Sequence, residues 1–99
     1  MRQGTTPKHI FKIPFDTSTV EKVKVSYAQK DNLILSKDTE DCILLDDTIS
    51  VELTQEDTFS FNKNDLVQIQ VRVLTKGGQV LSSDVLTKCV KACLDSEVL

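Results

Sequence analysis

The chain is predicted to be an all-β protein, a sandwich of two sheets with about seven strands. Short segments of alternating apolar and polar residues recur along its 99 residues, and turn-forming residues separate them. Only one segment, near residues 54–58, has a helical signature. A small β-barrel is the alternative architecture, because the prediction rests on strand number and patterning.

The strongest strand signal is a β-hairpin in the second half of the chain. Four aliphatic residues share one face of its first strand: Val67, Ile69, Val71 and Val73. A three-residue turn over residues 76–78, with a glycine in the left-handed conformation, pairs Val73 with Leu81 and Ile69 with Val85. A two-residue turn over the glycines alone would put polar residues on the apolar face, so the three-residue turn is preferred.

Five further segments have the alternation or the apolar run expected of a strand: residues 9–15, 22–27, 33–35, 42–45 and 48–53. Pro14 confines the first of them to a sheet edge, because proline cannot donate a backbone hydrogen bond. In the second, lysines alternate with apolar residues, which predicts one core face and one basic face. In the third, Leu33 and Leu35 are expected to face the core. The last two are predicted to pair as a hairpin.

One helical turn is predicted between the fifth and sixth strands. Thr54 is followed three residues later by Asp57, which is typical of a capped helix start. This turn would carry the chain from one sheet to the other, with Phe59 and Phe61 beneath it. After Val85 the apolar residues have helical spacing, but the hairpin register favours a strand to about residue 90. These elements together predict an immunoglobulin-like two-sheet β-sandwich, although tryptophan is absent.

The length and composition indicate a single globular domain. The chain is 39% hydrophobic and 27% charged, and no apolar run approaches the length of a membrane span. The first residues lack the apolar stretch of a secretory signal. We expect a flexible N-terminal arm over residues 1–7, a sandwich domain over residues 8–94 and a C-terminal tail over residues 95–99.

The charge is distributed unevenly. Residues 1–30 hold six basic and two acidic side chains, a net charge of +4, so with a total of −3 the remaining residues carry −7. If these segments occupy different surfaces, one copy would dock on the next, head to tail. The expected partner contacts are basic: Arg2, Lys8, Lys12, Lys22 and Lys24. A mixed, solvated surface is the alternative. Should the first two strands pair as neighbours, their lysines would approach each other and require neutralisation.

Metal and disulfide chemistry is not expected. Cys42, Cys89 and Cys93 are an odd number, and a zinc site would lack a fourth ligand because His9 is the sole histidine. Five acidic residues flank one short strand and make the best case for calcium: Asp38, Glu40, Asp41, Asp46 and Asp47. They lack the regular calcium-loop pattern, so a solvated acidic rim is preferred and no cofactor is predicted.

Catalysis and nucleic-acid binding are also not expected. No nucleophile and base stand in a recognisable pattern with His9, and the glycine pair lies between strands rather than before a helix. A basic face on the first strands would attract phosphates, but the aromatic residues of those strands alternate to the opposite face, where bases could not stack. The chain is therefore predicted to be neither an enzyme nor a nucleic-acid-binding protein.

Three segments carry a resemblance to a known group of proteins: residues 2–7, residues 51–58 and residues 67–74 with the following glycine pair. They resemble small proteins encoded in tail-module regions of prophages and tailed phages of Gram-positive bacteria. The likeness covers nearly the whole chain, and the layout is similar to the N-terminal domain of baseplate upper proteins. The resemblance implies an immunoglobulin-like virion or assembly component, found in the virion or the bacterial host cytoplasm. It transfers no functional residue.

The sequence thus predicts a non-enzymatic structural or assembly component of a phage or prophage tail or baseplate. It would act through contacts with itself or with other tail proteins, as an oligomer. The alternative is a stand-alone β-sandwich binding module for glycan or protein. Exposed aromatic residues in the loops would favour that alternative.

Overall fold

A computed structural model describes all 99 residues and contains eight strands and one short α-helix. The elements in chain order are β1 (Lys8–Lys12), β2 (Val20–Gln29), β3 (Asn32–Lys37), β4 (Cys42–Leu45), β5 (Thr48–Glu52), α1 (Gln55–Phe59), β6 (Asp65–Thr75), β7 (Val80–Ser82) and β8 (Leu86–Val90). Single 3₁₀ turns precede β2 and β4. No helix of the protein is long and apolar enough to cross a membrane.

The strands form two antiparallel sheets. The three-stranded sheet has the order β1-β5-β4, and the five-stranded sheet has the order β3-β2-β6, with β7 and β8 both paired to the far edge of β6. The prediction of an immunoglobulin-like two-sheet sandwich with one short helical turn is confirmed. The strand number is eight rather than seven, because the return strand of the final hairpin is interrupted.

The core lies between the sheets and draws most of its side chains from two central strands. Eight of the thirteen buried hydrophobic residues come from β2 and β6: Val20, Val23, Val25, Tyr27, Val67, Ile69, Val71 and Val73. Apolar and polar residues alternate along both strands, so these side chains lie on the face that is turned towards the other sheet. Each strand also has a neighbour on both edges, which covers its backbone. β5 supplies Ile49 and Val51 from the opposite sheet.

The predicted turn of the final hairpin is confirmed, and its register holds at first and then shifts. Val73 pairs with Leu81, and Gly78 has a positive φ of 86°. Ser83 then bonds Val71 through both its backbone N–H and its hydroxyl, at 2.8 and 3.0 Å. One extra residue follows, so Ile69 pairs with Leu86, and the predicted pairing with Val85 is wrong. The predicted strand to residue 90 is confirmed.

A second bulge corrects the prediction for β3. Tyr27 pairs with Leu35, but Ala28 pairs with Leu33, because one extra residue of β3 lies between these pairs. Leu35 therefore faces the core, as predicted. Leu33 faces solvent and is 64% exposed, so its predicted inward orientation is wrong.

The first two strands lie in different sheets. β1 pairs with β5, from Lys8 opposite Glu52 to Lys12 opposite Thr48, whereas β2 pairs with β3 and β6. β1 is an edge strand, as predicted from Pro14. The lysines of the two strands would approach each other only if β1 and β2 were neighbours; the sandwich core separates these strands, so Lys12 does not approach the lysines of β2.

The crossover from β5 to β6 is capped as predicted. The Thr54 hydroxyl accepts a hydrogen bond from the backbone N–H of Asp57 at 3.1 Å, and the Asp57 carboxylate accepts one from the N–H of Thr54 at 2.9 Å. Phe61 is buried beside Tyr27, with ring centroids 5.8 Å apart. The buried Gln29 amide both donates to and accepts from the backbone of Asn62, which fixes the entry to β6.

The segment predicted as a flexible N-terminal arm is docked on this crossover. The N–H of Gly4 donates to the Thr58 hydroxyl at 2.9 Å, and that hydroxyl donates to the carbonyl of Thr5. Gly4 has a φ of +76°, and a Cβ there would lie 2.8 Å from the ring of Phe59. Only glycine fits this contact, so the position of the arm depends on it.

Candidate protein-interaction surface

The two long sides of the sandwich differ, and the difference defines a candidate surface. On one side, which we call the closed side, the chain crosses directly from β3 to β4 and Lys37 reaches α1. Its ammonium lies 2.8 Å from the Asp57 carboxylate, and both side chains are about 15% exposed. Thr39 continues the sheet edge through hydrogen bonds to the backbone of Val23.

The opposite side, which we call the open side, has no such connection. β1 lies across from β7 and β8, and a groove of about 560 Å³ runs between them. Its apolar lining comes from non-adjacent parts of the chain: Phe11, Ile13, Phe15, Val71, Leu81 and Leu86. Leu81 and Leu86 are 42% and 47% exposed. Apolar side chains that would be core residues in a closed sandwich are therefore partly in water.

The backbone of β1 adds free hydrogen-bonding groups to the open side. Leu53 donates to the carbonyl of Pro7, and Ile13 donates to that of Asp47, so the odd-numbered residues of this segment pair with β5. In an antiparallel strand the alternate residues point the other way. The N–H and C=O groups of Lys8, Ile10 and Lys12 are therefore directed towards the free edge.

The outer face of the three-stranded sheet continues the apolar surface. Ile10, Ile43 and Leu45 are each 63% or 64% exposed. Ser50 lies between the two isoleucines in the sheet register and is only 9% exposed beneath them. Isolated exposed aliphatic residues are ordinary, but these three share one outer face, and Ile10 also lines the groove.

His9 and Tyr27 join the two sheets beside the groove. The Nδ1 atom of His9 lies 2.8 Å from the Tyr27 hydroxyl oxygen. Burial lowers the pKa of His9 below its usual 6.5, and the positive charges of Lys88 and the amino terminus lower it further. Burial also raises the pKa of Tyr27 well above its usual 10.0. The pair is therefore neutral at neutral pH, as its position between the sheets requires.

The five basic residues predicted as partner contacts lie in three separate places. Lys8 and Lys12 are on the outer face of β1, at the open side. Lys22 and Lys24 are on the outer face of β2, in the other sheet. The Arg2 guanidinium donates to the carbonyl of Ala92 at 2.7 Å, near the end of β8. The structure therefore does not bring them together as one basic patch.

The lysines of β2 do form a local basic strip. Lys24 lies directly opposite Arg72 of β6, and both line a shallow depression of about 480 Å³ with Lys22. Asp38 approaches Lys24 to 4.0 Å, and Glu40 lies on the same rim. These acids partly offset the like-charge pair, so the strip is a mixed, solvated surface.

No group of three or more His, Cys, Asp or Glu side chains lies close enough to hold a metal ion. The acids considered for calcium fall at opposite ends of β4, in the turns before and after it. All three cysteines are free thiols, and burial raises the pKa of Cys42, with Asp41 and Asp38 adding to the effect. None of the five aromatic residues is exposed.

The sequence analysis did not predict the open-side groove, although the residues that line it lie in segments assigned to strands. Phe11, Ile13 and Phe15 alternate on one side of a segment already assigned to a sheet edge. Leu81 and Leu86 belong to the return strand of the hairpin. Both segments place apolar residues at a sheet edge, and no further strand remains to cover them. Recognising this requires the order of the strands in each sheet, which the sequence alone does not provide.

Comparison with known proteins gives a structural likeness alone. No protein-family model matches the chain, and the curated proteins include no match. A solved structure, the V domain of amphioxus IgVJ-C2, is similar at 11% sequence identity and a TM-score of 0.37, over 91% of this chain and 96% of that chain.

Proposed function

We propose that this protein is a non-enzymatic structural or assembly component that acts through protein–protein contacts. The observation that carries the proposal is the open side, where an apolar groove, a free strand edge and an exposed aliphatic face adjoin each other. Exposed apolar surface of this kind is costly in water and is typical of surfaces that a partner covers.

The size of the exposed surface supports the same proposal. The accessible surface is 6301 Å², against about 5,700 Å² for a compact monomer of this mass. The radius of gyration is 14.2 Å, against about 12.6 Å for a typical domain of this length. The molecule is thus more extended than a self-contained domain of its size.

We extend the proposal to a phage or prophage tail or baseplate, in the virion or the bacterial host cytoplasm. This step rests on the resemblance of residues 2–7, 51–58 and 67–74 to tail-module proteins. The alternative is a stand-alone binding module for a protein. A glycan is a poorer ligand, because no aromatic side chain is more than partly exposed for stacking on a sugar ring.

Particle incorporation tests the proposal. In the strain that carries the gene, we would delete it, supply variants in trans and analyse purified particles by quantitative mass spectrometry. We expect the wild-type chain in the particles at a fixed stoichiometry, and we expect Ile10→Asp to abolish its incorporation by placing a charge on the open side. Leu33→Asp is the matched control, because Leu33 is equally exposed, at 64%, on β3 at the closed side.

Two results would overturn the proposal. The first is the absence of the chain from particles that assemble normally without the gene. The second is an equal loss of incorporation for Ile10→Asp and Leu33→Asp, which would mean that the open side has no special role. Normal particles together with a tight complex with a single host protein would favour the binding module.

A further inference from the structure

We propose that the open-side groove binds the C-terminal tail of a second copy of this chain, residues 94–99, as an added β-strand beside β1. The inference rests on the proposed function, and it names the occupant of the surface and the geometry of the contact. It is carried by three features of the chain: the free edge of β1, the alternation of the tail and the charges on both.

The groove fits an extended segment better than it fits a globular surface. An added strand would pair with the free N–H and C=O groups of Lys8, Ile10 and Lys12, which point away from β5. Alternate side chains of that strand would enter the groove between Phe11, Leu81 and Leu86. Addition of a strand to a sheet edge is a general mode of peptide recognition, in which apolar pockets select the alternate side chains.

A second copy of β1 is a poor occupant. Antiparallel pairing of two β1 strands about Ile10 would place Lys8 of each copy opposite Lys12 of the other. Like charges directly across a strand pair are unfavourable. The same lysines favour a strand that carries acidic residues on its outer face.

The tail has the required alternation. Leu94, Ser96 and Val98 share one face of an extended strand, and Asp95, Glu97 and Leu99 share the other. With the first face towards the groove, Leu94 and Val98 meet its apolar lining. The two carboxylates then lie on the outer face, each opposite a lysine of β1 or diagonal to one, within reach of a lysine side chain.

The tail is available for this contact. It contains no helix or strand, and Leu94 and Leu99 are fully exposed. Two exposed hydrogen bonds between Leu99 and the Gln55 side chain hold its end on α1, and both break when the tail binds a second copy. Extended, six residues span about 20 Å, close to the length of β1. Because the tail and the groove are different surfaces, the contact is heterologous and makes head-to-tail oligomers.

A charge swap in the full-length protein tests the inference, with self-association measured by sedimentation velocity across concentration at low and high salt. One variant carries Lys8→Glu with Lys12→Glu, and a second carries Asp95→Lys with Glu97→Lys. All four side chains are exposed, so the fold is expected to survive, as circular dichroism and thermal unfolding would check. Lys22→Glu with Lys24→Glu is the control, because it makes the same charge change on the other sheet.

We expect the wild type to self-associate more strongly at low salt. Each of the two variants alone should associate about tenfold more weakly, because attraction becomes repulsion at two positions. An equimolar mixture of the two should regain association, since each groove edge then meets a tail of opposite charge. The control should behave as the wild type does.

Three results would overturn the inference. One is a wild type that stays monomeric at every concentration, which would include a tail bound in its own groove. Another is an oligomer that neither variant weakens, and the third is a mixture that does no better than its components. None of these results bears on particle incorporation, so the inference can fail while the proposed function stands.

Discussion

Each long side of this sandwich is formed by one edge of each sheet. The two edges are joined on the closed side and stand apart on the open side. On the closed side the chain itself joins the sheets, and the Lys37–Asp57 ion pair lies at the junction with little exposure to water. On the open side β1 faces β7 and β8 across an apolar groove that nothing in the chain covers. The comparison indicates that the closed side stabilises the fold, whereas the open side leaves apolar side chains partly in water, which is the basis of the contacts proposed above.

The largest expected difference is between two phenylalanines. Phe61 is 1% exposed in the enclosed core, and Phe61→Ala should lower the free energy of unfolding by about 3–5 kcal/mol, through lost burial and a cavity. Phe11 is half-buried in the groove, and Phe11→Ala should cost about 1–2 kcal/mol. Chemical denaturation would measure both. Equal losses would mean that the open side is as well packed as the core.

The next difference is between two ion pairs. Asp57→Asn should lower the free energy of unfolding by about 1–3 kcal/mol, because Lys37 then keeps a nearly buried charge without a partner. Asp47→Asn is the matched variant on the outer face of the three-stranded sheet, where Lys12 lies 3.7 Å away and is 80% exposed. It should change the stability by no more than about 0.5 kcal/mol. A similar loss in both variants would contradict the comparison.

The Asp57 pair also predicts a response to acid. Burial opposes the charge on Asp57, but hydrogen bonds from Lys37 and from the backbone of Thr54 outweigh it and lower the pKa below the usual 3.8. The resulting stabilisation is fully present above pH 3.8 and is lost as the pH falls through the lower folded-state pKa. Asp57→Asn should therefore flatten the acid end of the stability profile. If Asp57→Asn loses stability at low pH as the wild type does, other carboxylates cause that loss.

The smallest expected effect comes from His9, at the boundary between the core and the groove. Because its pKa is lowered in the folded state, the unfolded state takes up a proton first as the pH falls below 6.5. Stability should be complete above pH 6.5 and decline below it, and His9→Gln should remove this decline. As His9 is the sole histidine, its NMR titration gives the pKa directly. A midpoint at or above 6.5 would contradict the burial described.

The sequence predicts best where neighbouring residues decide the structure. The alternation in β2 and β6, the Thr54 cap and the turn at Gly78 follow from local patterns, and all are confirmed. Two bulges are not visible in the pattern, because an extra residue in a strand leaves the apolar count unchanged. Because of these bulges, the predicted inward orientation of Leu33 is wrong, and Ile69 pairs one residue further along than predicted.

The candidate surface was harder to predict than the fold. Its position depends on β1 joining β5 rather than β2, a choice between sheets that no single segment encodes. That choice separates Lys8 and Lys12 from Lys22 and Lys24. The basic residues of the first thirty positions therefore lie on the outer faces of two different sheets. It also brings Phe11 opposite Leu86, from residues far apart in the chain. Docking of the arm likewise depends on the long-range contact of Gly4 with Phe59.

Amide hydrogen exchange, resolved by NMR at low and at high protein concentration, tests most directly whether the open side is a docking surface. At low concentration the amides of Lys8, Ile10 and Lys12 should exchange fast, because they face the free edge of β1, while those at the centre of β2 and β6 stay protected. At high concentration the three β1 amides should become protected, and the exposed amides of the outer edge of β3 should not change. Unchanged exchange at Lys8, Ile10 and Lys12, or equal protection at β3, would contradict a specific docking edge.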